Sequence, residues 1–359
     1  MSLSKLTISS LRNLTHVELM PSPQFNVIYG ENGSGKTSIL EAIYLLGLAK
    51  SFRSHINSRL VQLNHERLIV HGLLKDGQHS LGVEKSIQGK TIIRIDQQTV
   101  NSPTNLAELL PVQLFSPNSY RLLEDGPKER RQFLDWGLFH VEPGFLKCWQ
   151  NYQVALKQRN NALRSMRPRR EIQSWDQQLV YYGEALNELR KNYIDLLIPV
   201  FQLLFAELLE YQPVTLKYYQ GWSQEINFSQ ALERDFASDV KQMLTRSGPH
   251  RADLRFWISD NKQMAQDVLS RGQQKLLVCA LKLAQGLLLK ERTARTCVYL
   301  LDDLAAELDL VRRKHVARVL LDLDAQVFVT SVERNALPEI NELPLTQLFH
   351  VERGCLLAG

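Results

Sequence analysis

One octapeptide limits this chain more than any other feature. Gly30-Glu31-Asn32-Gly33-Ser34-Gly35-Lys36-Thr37 satisfies the spacing G-x-x-x-x-G-K-[ST]. Glycines at its first and sixth places let the backbone curl until N–H groups point inward at phosphate oxygens, and the N-terminus of a following helix adds a favourable dipole. The context fits. Residues 25–29 read as a short buried strand, and behind the loop Ile39, Ile43, Leu46 and Ala49 recur at helical spacing, an apolar stripe laid on a sheet. Strand, glycine loop and helix in that order commit the chain to an α/β body that ends at a phosphate site. There Lys36 reaches the β- and γ-phosphates, the Thr37 hydroxyl ligates Mg2+, and the rest of the loop with Ser38 surrounds the nucleotide.

Two further motifs narrow the class. Val298-Tyr299-Leu300-Leu301 leads into Asp302-Asp303, an apolar strand delivering two carboxylates to the mouth of a parallel sheet. Asp302 is expected to hold Mg2+ through water, and Asp303 to polarise the attacking water. Some thirty residues earlier stands Leu269-Ser270-Arg271-Gly272-Gln273, followed by an apolar helical run at 275–289. This pentapeptide resembles the ABC signature LSGGQ, with arginine in place of the first glycine. The Ser270 hydroxyl, the Gly272 N–H, Gln273 and the helix dipole make an anion site. In ABC architecture that site caps the γ-phosphate held by a second subunit. One phosphate loop and one signature per chain therefore imply an ATP-dependent homodimer with two composite sites. Asp303 takes the place usually held by glutamate in ABC proteins.

The remaining chain reads as an insertion. At 359 residues it exceeds one average domain, and its 44% apolar and 23% charged composition is that of a globular protein. Neither the N-terminus, which alternates like a strand, nor the stretch 276–289, broken by Lys282 and Gln285, suggests a signal peptide or the roughly 20 apolar residues of a membrane span. Cys148, Cys279, Cys297 and Cys355 are too scattered for a zinc site or a disulfide framework, so a reducing cytoplasm is expected. Strand-like runs at 68–73, 81–85 and 91–95, with turns at Asp76-Gly77 and Gln88-Gly89, predict an antiparallel sheet beside the loop. From about 127 to 209 the pattern is helical, and 175–209 predicts a helix pair or short coiled coil interrupted near Pro199. Strands are expected again at 254–258 and 264–268, around the turn Ser259-Asp260-Asn261-Lys262, and then at 297–301 and 326–330. The expected fold is α/β: an ABC-type P-loop ATPase head with a mixed sheet, from residues 1–115 and 276–359, and a mainly helical arm lobe, 116–275, inserted between the two nucleotide motifs and ending at the signature.

A separation as long as that between Lys36 and Asp302 is more than a transporter cassette needs. It resembles the SMC-like ABC proteins of chromosome maintenance, with a short arm in place of a long coiled coil. Within that group the whole chain resembles the RecF family: the phosphate loop, Phe115-Ser116-Pro117, Arg130-Arg131-Gln132-Phe133-Leu134-Asp135, Gly248-Pro249-His250-Arg251, Leu269 through Lys275, and Leu301 through Asp309 stand in that family's order. The resemblance implies a cytoplasmic, nucleoid-associated protein that binds gapped DNA when ATP is bound, hydrolyses ATP slowly, and works with RecR and RecO to place RecA. It also makes aspartate at 303 normal. Ala252 stands where the family often has an acid, which leaves the role of Arg251 open, and Ala306 replaces a common serine ahead of Asp309.

Less specific candidates remain. Thr330 ends the last strand where ABC proteins place a γ-phosphate sensor. Arg12 and Asn13 resemble nucleotide-edge contacts, and Gln113 is a loose match to the Mg2+-linked glutamine of the Q-loop. For DNA, the net charge of +5 permits an anionic partner without demanding one. The stretch 143–170 carries Lys147, Lys157, Arg159, Arg164, Arg167, Arg169 and Arg170 with no acid, and Lys50, Arg53 and Arg59 form a second acid-free patch. Rival readings are an SMC-like scaffold with incidental hydrolysis and a transporter nucleotide-binding subunit; the spacing argues against the latter.

Overall fold

A computed structural model describes residues 2–74, 79–209, 213–258, 263–303, 308–343 and 345–357. The expected turns at Asp76-Gly77 and at 259–262, and Ala306, lie outside them. The chain forms two compact units, Met1–Ser119 with Leu289–Gly359, and Tyr120–Leu288. Residues 276–288, assigned to the head by sequence, thus belong to the second unit. The reason is packing: the helix Arg271–Thr293 begins among second-unit residues, and Gln285 Nε2 donates to Phe133 O at 2.8 Å.

Two sheets build the first unit. One is antiparallel, with β1 (Leu3–Leu11), β2 (Leu14–Leu19), β4 (Arg67–Leu74), β5 (Ser80–Ser86), β6 (Thr91–Ile95) and β7 (Gln98–Val100) in the order β2-β1-β4-β5-β6-β7. The other contains β3 (Phe25–Tyr29), β8 (Val112–Phe115), β12 (Val298–Leu301), β13 (Gln326–Ser331), β14 (Thr346–Glu352) and β15 (Cys355–Leu357), ordered β15-β14-β3-β13-β12-β8. It is parallel except for β15. The helix Lys36–Leu48 touches strands of both sheets, so it is buried nearly all round and not along one stripe as its periodicity suggests. Ile39, Leu40, Ile43 and Leu46 join Leu6, Ile8, Val70, Ile28 and Phe328 in one continuous core. Each such fully buried aliphatic contributes about 1.5–3 kcal/mol.

The second unit is helical around a small sheet, β11-β10-β9, formed by β9 (Thr215–Tyr219), β10 (Asp253–Ile258) and β11 (Gln263–Met264). The strand expected at 264–268 ends at Met264, and Ala265–Val268 is a helical turn leading to the signature. Nor do residues 175–209 form a helix pair. Asp176–Leu208 is a single helix that runs through Pro199. Proline forfeits one backbone bond there, but Leu197, Phe201, Leu204 and Phe205 are buried along it and hold the helix. It pairs antiparallel with Phe145–Arg164, as contacts from Cys148 Sγ to Tyr182 O (3.4 Å) and from Arg159 Nε to Asp176 Oδ1 (2.7 Å) require.

This pairing overturns the role expected of Arg159. It is fully buried, and it also donates from Nη1 to Asp239 Oδ2 at 2.7 Å and Thr245 Oγ1 at 2.8 Å. A residue so enclosed cannot track DNA; it fastens the helical hairpin to Phe228–Gln242. Breaking a buried ion pair from one side leaves the other charge stranded. Arg159→Met is therefore expected to lower stability in urea denaturation by about 3–5 kcal/mol. Adding Asp239→Asn, which keeps the acceptor for Arg246 N (3.0 Å), should recover part of the loss. No loss in the single variant would refute this structural role.

Candidate nucleotide-binding site

The phosphate loop leaves β3 at Tyr29 and enters its helix at Lys36, with Gly30, Gly33 and Gly35 at φ of 150°, 80° and 121°. Space as well as torsion demands glycine: a Cβ on Gly30 would lie 2.1 Å from Val351 O, and one on Gly35 2.6 Å from Leu14 Cδ2. The carbonyls that the curled loop turns outward have partners. Lys36 Nζ donates to Gly30 O (2.7 Å) and Glu31 O (2.9 Å), Asn13 Nδ2 to Gly33 O (3.0 Å), and Gly354 N to Ser34 O (2.8 Å). Asn13 Oδ1 also accepts from Ser38 Oγ at 3.2 Å, so Asn13 braces the loop from outside. Burial lowers the Lys36 pKa, while the nearby charges of Asp303 and Asp302 act to raise it.

The two acids follow β12. Asp302 N continues the ladder by donating to Phe115 O at 2.8 Å. Its Oδ1 accepts two hydroxyls, Thr37 Oγ1 and Thr330 Oγ1, each at 2.9 Å. Asp303 takes a left-handed φ of 57°, which costs energy for a residue other than glycine. It is held there by its N–H, which donates to Thr330 Oγ1 at 2.7 Å. Burial pushes the Asp302 carboxyl up, the two hydroxyls oppose this, and Asp303 adds to the rise. Among the described residues no group of three or more His, Cys, Asp or Glu could hold a metal ion. A hydroxyl and one or two carboxylates at a phosphate loop are nevertheless the donor set that suits Mg2+, which keeps waters and shares phosphate oxygens.

In the second unit the signature forms a reciprocal helix cap. Ser270 O accepts from Gln274 N (2.9 Å), Ser270 Oγ from Gln273 N (3.3 Å), and Gln273 Oε1 from Ser270 N (2.9 Å). The Gln273 side chain is thus engaged in the cap, not presented to a ligand. Arg271, the residue in place of glycine, pairs with Glu124 and lies 4.4 Å over the Tyr120 ring. Drawn aside in this way, it leaves Ser270 and Gly272 exposed, and a Cβ on Gly272 would meet nothing within 4 Å.

Residues 2–356 match the family model of the RecF/RecN/SMC N-terminal domain. The DNA replication and repair protein RecF of Pseudomonas putida is 47% identical over 99% of this chain and 97% of its own length, and that of Shewanella baltica 43% over 99% and 98%. The chain belongs to the RecF family. A solved structure of the recombination mediator protein RecF with ATP, in the RecFOR pathway, matches with a TM-score of 0.85 at 25% identity, covering 99% of this chain and 97% of that one. An Smc head bound to the C-winged helix domain of ScpA, at 0.61 and 16%, shares the fold.

Several weaker expectations change against this RecF-family frame. Thr330 Oγ1 donates to Asp302 Oδ1 at 2.9 Å and accepts from Asp303 N at 2.7 Å, so its hydroxyl ties the two acids together. Gln113 is buried in β8 beside Tyr299, three residues short of Asp302, which places it roughly 10 Å below the sheet mouth at about 3.3 Å per residue. Arg12 is committed to the buried Glu41 by bonds of 3.0 and 2.9 Å and to Arg59 O at 2.7 Å. Glu41 also accepts from Ser51 and lies 3.7 Å from Arg53. The second basic patch is thus not free of acid, although Lys50, Arg53 and Arg59 are exposed. In the first patch Arg167 faces Glu171 at 3.9 Å and Arg169 pairs with Glu233, while Lys147, Lys157, Arg164 and Arg170 are exposed. Glu41 was the residue that sequence reasoning missed; a single carboxylate in an otherwise apolar helix was the available signal.

Two outcomes are expected. Lys36→Ala should abolish ATP binding in equilibrium dialysis, because the charge on the β/γ-phosphates is lost; normal binding would remove Lys36 from the site. Thr330→Val should keep ATP affinity within a few-fold and lower kcat by tenfold or more, since the Asp303 N–H loses its acceptor. Thr330→Ser should restore turnover, and an unchanged kcat in the valine variant would contradict this tie.

Proposed function

We propose that this chain is an ATP-gated DNA-binding protein of recombinational gap repair. ATP pairs two copies on DNA, and slow hydrolysis releases them. The observation that carries this reading is the open signature cap. Ser270 and Gly272 are presented at a helix N-terminus, in a chain with one phosphate loop. A helix end of this kind favours an anion, and the γ-phosphate of a second copy supplies one.

The chain's residues divide the work. The phosphate loop and Lys36 bind and orient the triphosphate, and Thr37 and Asp302 hold Mg2+. Bound Mg2+ neutralises charge on the phosphates. Thr330 fixes Asp302 and the Asp303 backbone, and Asp303 orients and polarises water at the γ-phosphate. Asp303→Asn keeps the shape, so ATP binding survives while hydrolysis falls. Relatives named for DNA replication and repair and for the RecFOR pathway support DNA as the ligand, with RecR and RecO as partners and RecA as the protein delivered. Hydrolysis that is weak and stimulated by DNA belongs to the same proposal. Among the described residues no helix is long and apolar enough to cross a membrane, and a cytoplasmic, nucleoid-associated location is part of this reading.

The shared site is tested by mixing. Ser270→Arg fills the signature site but spares the chain's own loop, whereas Lys36→Ala does the reverse. Each variant alone should fail to dimerise or hydrolyse ATP, and the mixture should recover one intact site per heterodimer. No recovery from two folded variants would sink the composite site.

A further inference from the structure

Two sequence motifs outside the nucleotide site, at 130–135 and 248–251, meet in the second unit. Arg130 pairs with Asp253 (2.7 Å), Arg131 Nη1 donates to Ala252 O (2.7 Å), and Arg190 joins Asp135 (2.8 Å) to Pro249 O (2.7 Å). The short turn Pro249–Arg251 is therefore tied down at nearly every residue. His250, half-buried, donates from Nε2 to Thr245 O (3.0 Å) and accepts the Tyr152 hydroxyl at Nδ1 (2.6 Å). Gly248 opens the turn at φ 138°, where a Cβ would lie 2.6 Å from that hydroxyl.

What this framework presents is Arg251. It is exposed, and among the described residues neither it nor Arg131 forms a direct ion pair, since Asp135 is bonded to Arg190 and Asp253 to Arg130 and Arg255, although both acids lie near enough to act on Arg131. The cations outnumber the acids. Burial lowers the Arg131 pKa and the charges of Arg190 and Arg251 lower it further, against the opposing charges of Asp135 and Asp253, while burial and the charges of Arg251, Arg131 and Arg190 bring His250 down to about 4. A rigid turn that holds like charges together costs energy unless an anion completes it. Guanidinium groups favour phosphate.

We infer that Arg131 and Arg251 form a phosphate-binding pair, filled by a backbone phosphate of DNA or by the nucleotide of a second copy. The inference rests on the proposed ATP-gated DNA binding only for the source of that phosphate.

Arg251→Gln tests it, because an exposed side chain can be changed without unfolding the chain; an unaltered melting temperature checks this. If the source is DNA, the log–log salt dependence of duplex binding should flatten by about 0.9, the value of one phosphate contact, and Arg251→Lys should restore it. If the source is nucleotide, that slope stays and ATP-driven self-association without DNA is lost. A third arm uses inorganic phosphate against chloride at equal ionic strength in a Lys36→Ala background. Phosphate should raise the melting temperature more with Arg251 present than with glutamine there. Wild-type chain that neither binds DNA nor self-associates would defeat the proposed function, while the third arm would still decide this inference. Unchanged behaviour of Arg251→Gln and Arg131→Gln in all three arms would overturn it.

Discussion

One carboxylate oxygen organises the nucleotide site. Asp302 Oδ1 accepts hydroxyl protons from Thr37 on the phosphate-loop helix and Thr330 on β13, while its backbone N–H is bonded to β8. Three segments remote in sequence are thereby fixed to one residue. Because Thr330 also accepts from Asp303 N, the strained backbone of the second acid depends on the same residue. Such a chain of oriented hydrogen bonds is stronger in a buried site than in water, and it presets the two acids before nucleotide arrives.

The second unit uses a different principle. Its fixed points are buried arginines: Arg159 with Asp176 and Asp239, Arg190 with Asp135, and Arg130 with Asp253. Buried pairs of this kind add little net stability over apolar packing but strongly penalise alternatives that separate them. They hold the helical hairpin and the turn at Arg251 in one arrangement.

Much of this could be read from sequence where chemistry fixes spacing. The phosphate loop, the strand before the two aspartates and the signature helix are legible because phosphate, metal and helix end each demand particular residues at particular distances. Tertiary partners are not legible in this way. Arg159 reads as a surface cation until Asp239, eighty residues on, closes over it. Pro199 reads as a break until buried leucines and phenylalanines carry the helix through it. Thr330 could be placed at the mouth by its strand, but only the geometry reveals that its hydroxyl ties Asp302 to the Asp303 backbone. Arg12 likewise reads as a nucleotide contact, and the fold gives it to Glu41.

The central claim is that a γ-phosphate bridges two copies of this chain. The most direct test is sedimentation velocity of the wild-type chain at one protein concentration, without DNA, in Mg2+ with ATP and then with ADP. The account requires a dimer with ATP and a monomer with ADP, because ADP lacks the phosphate that the signature helix must cap. The same species under both nucleotides would contradict it.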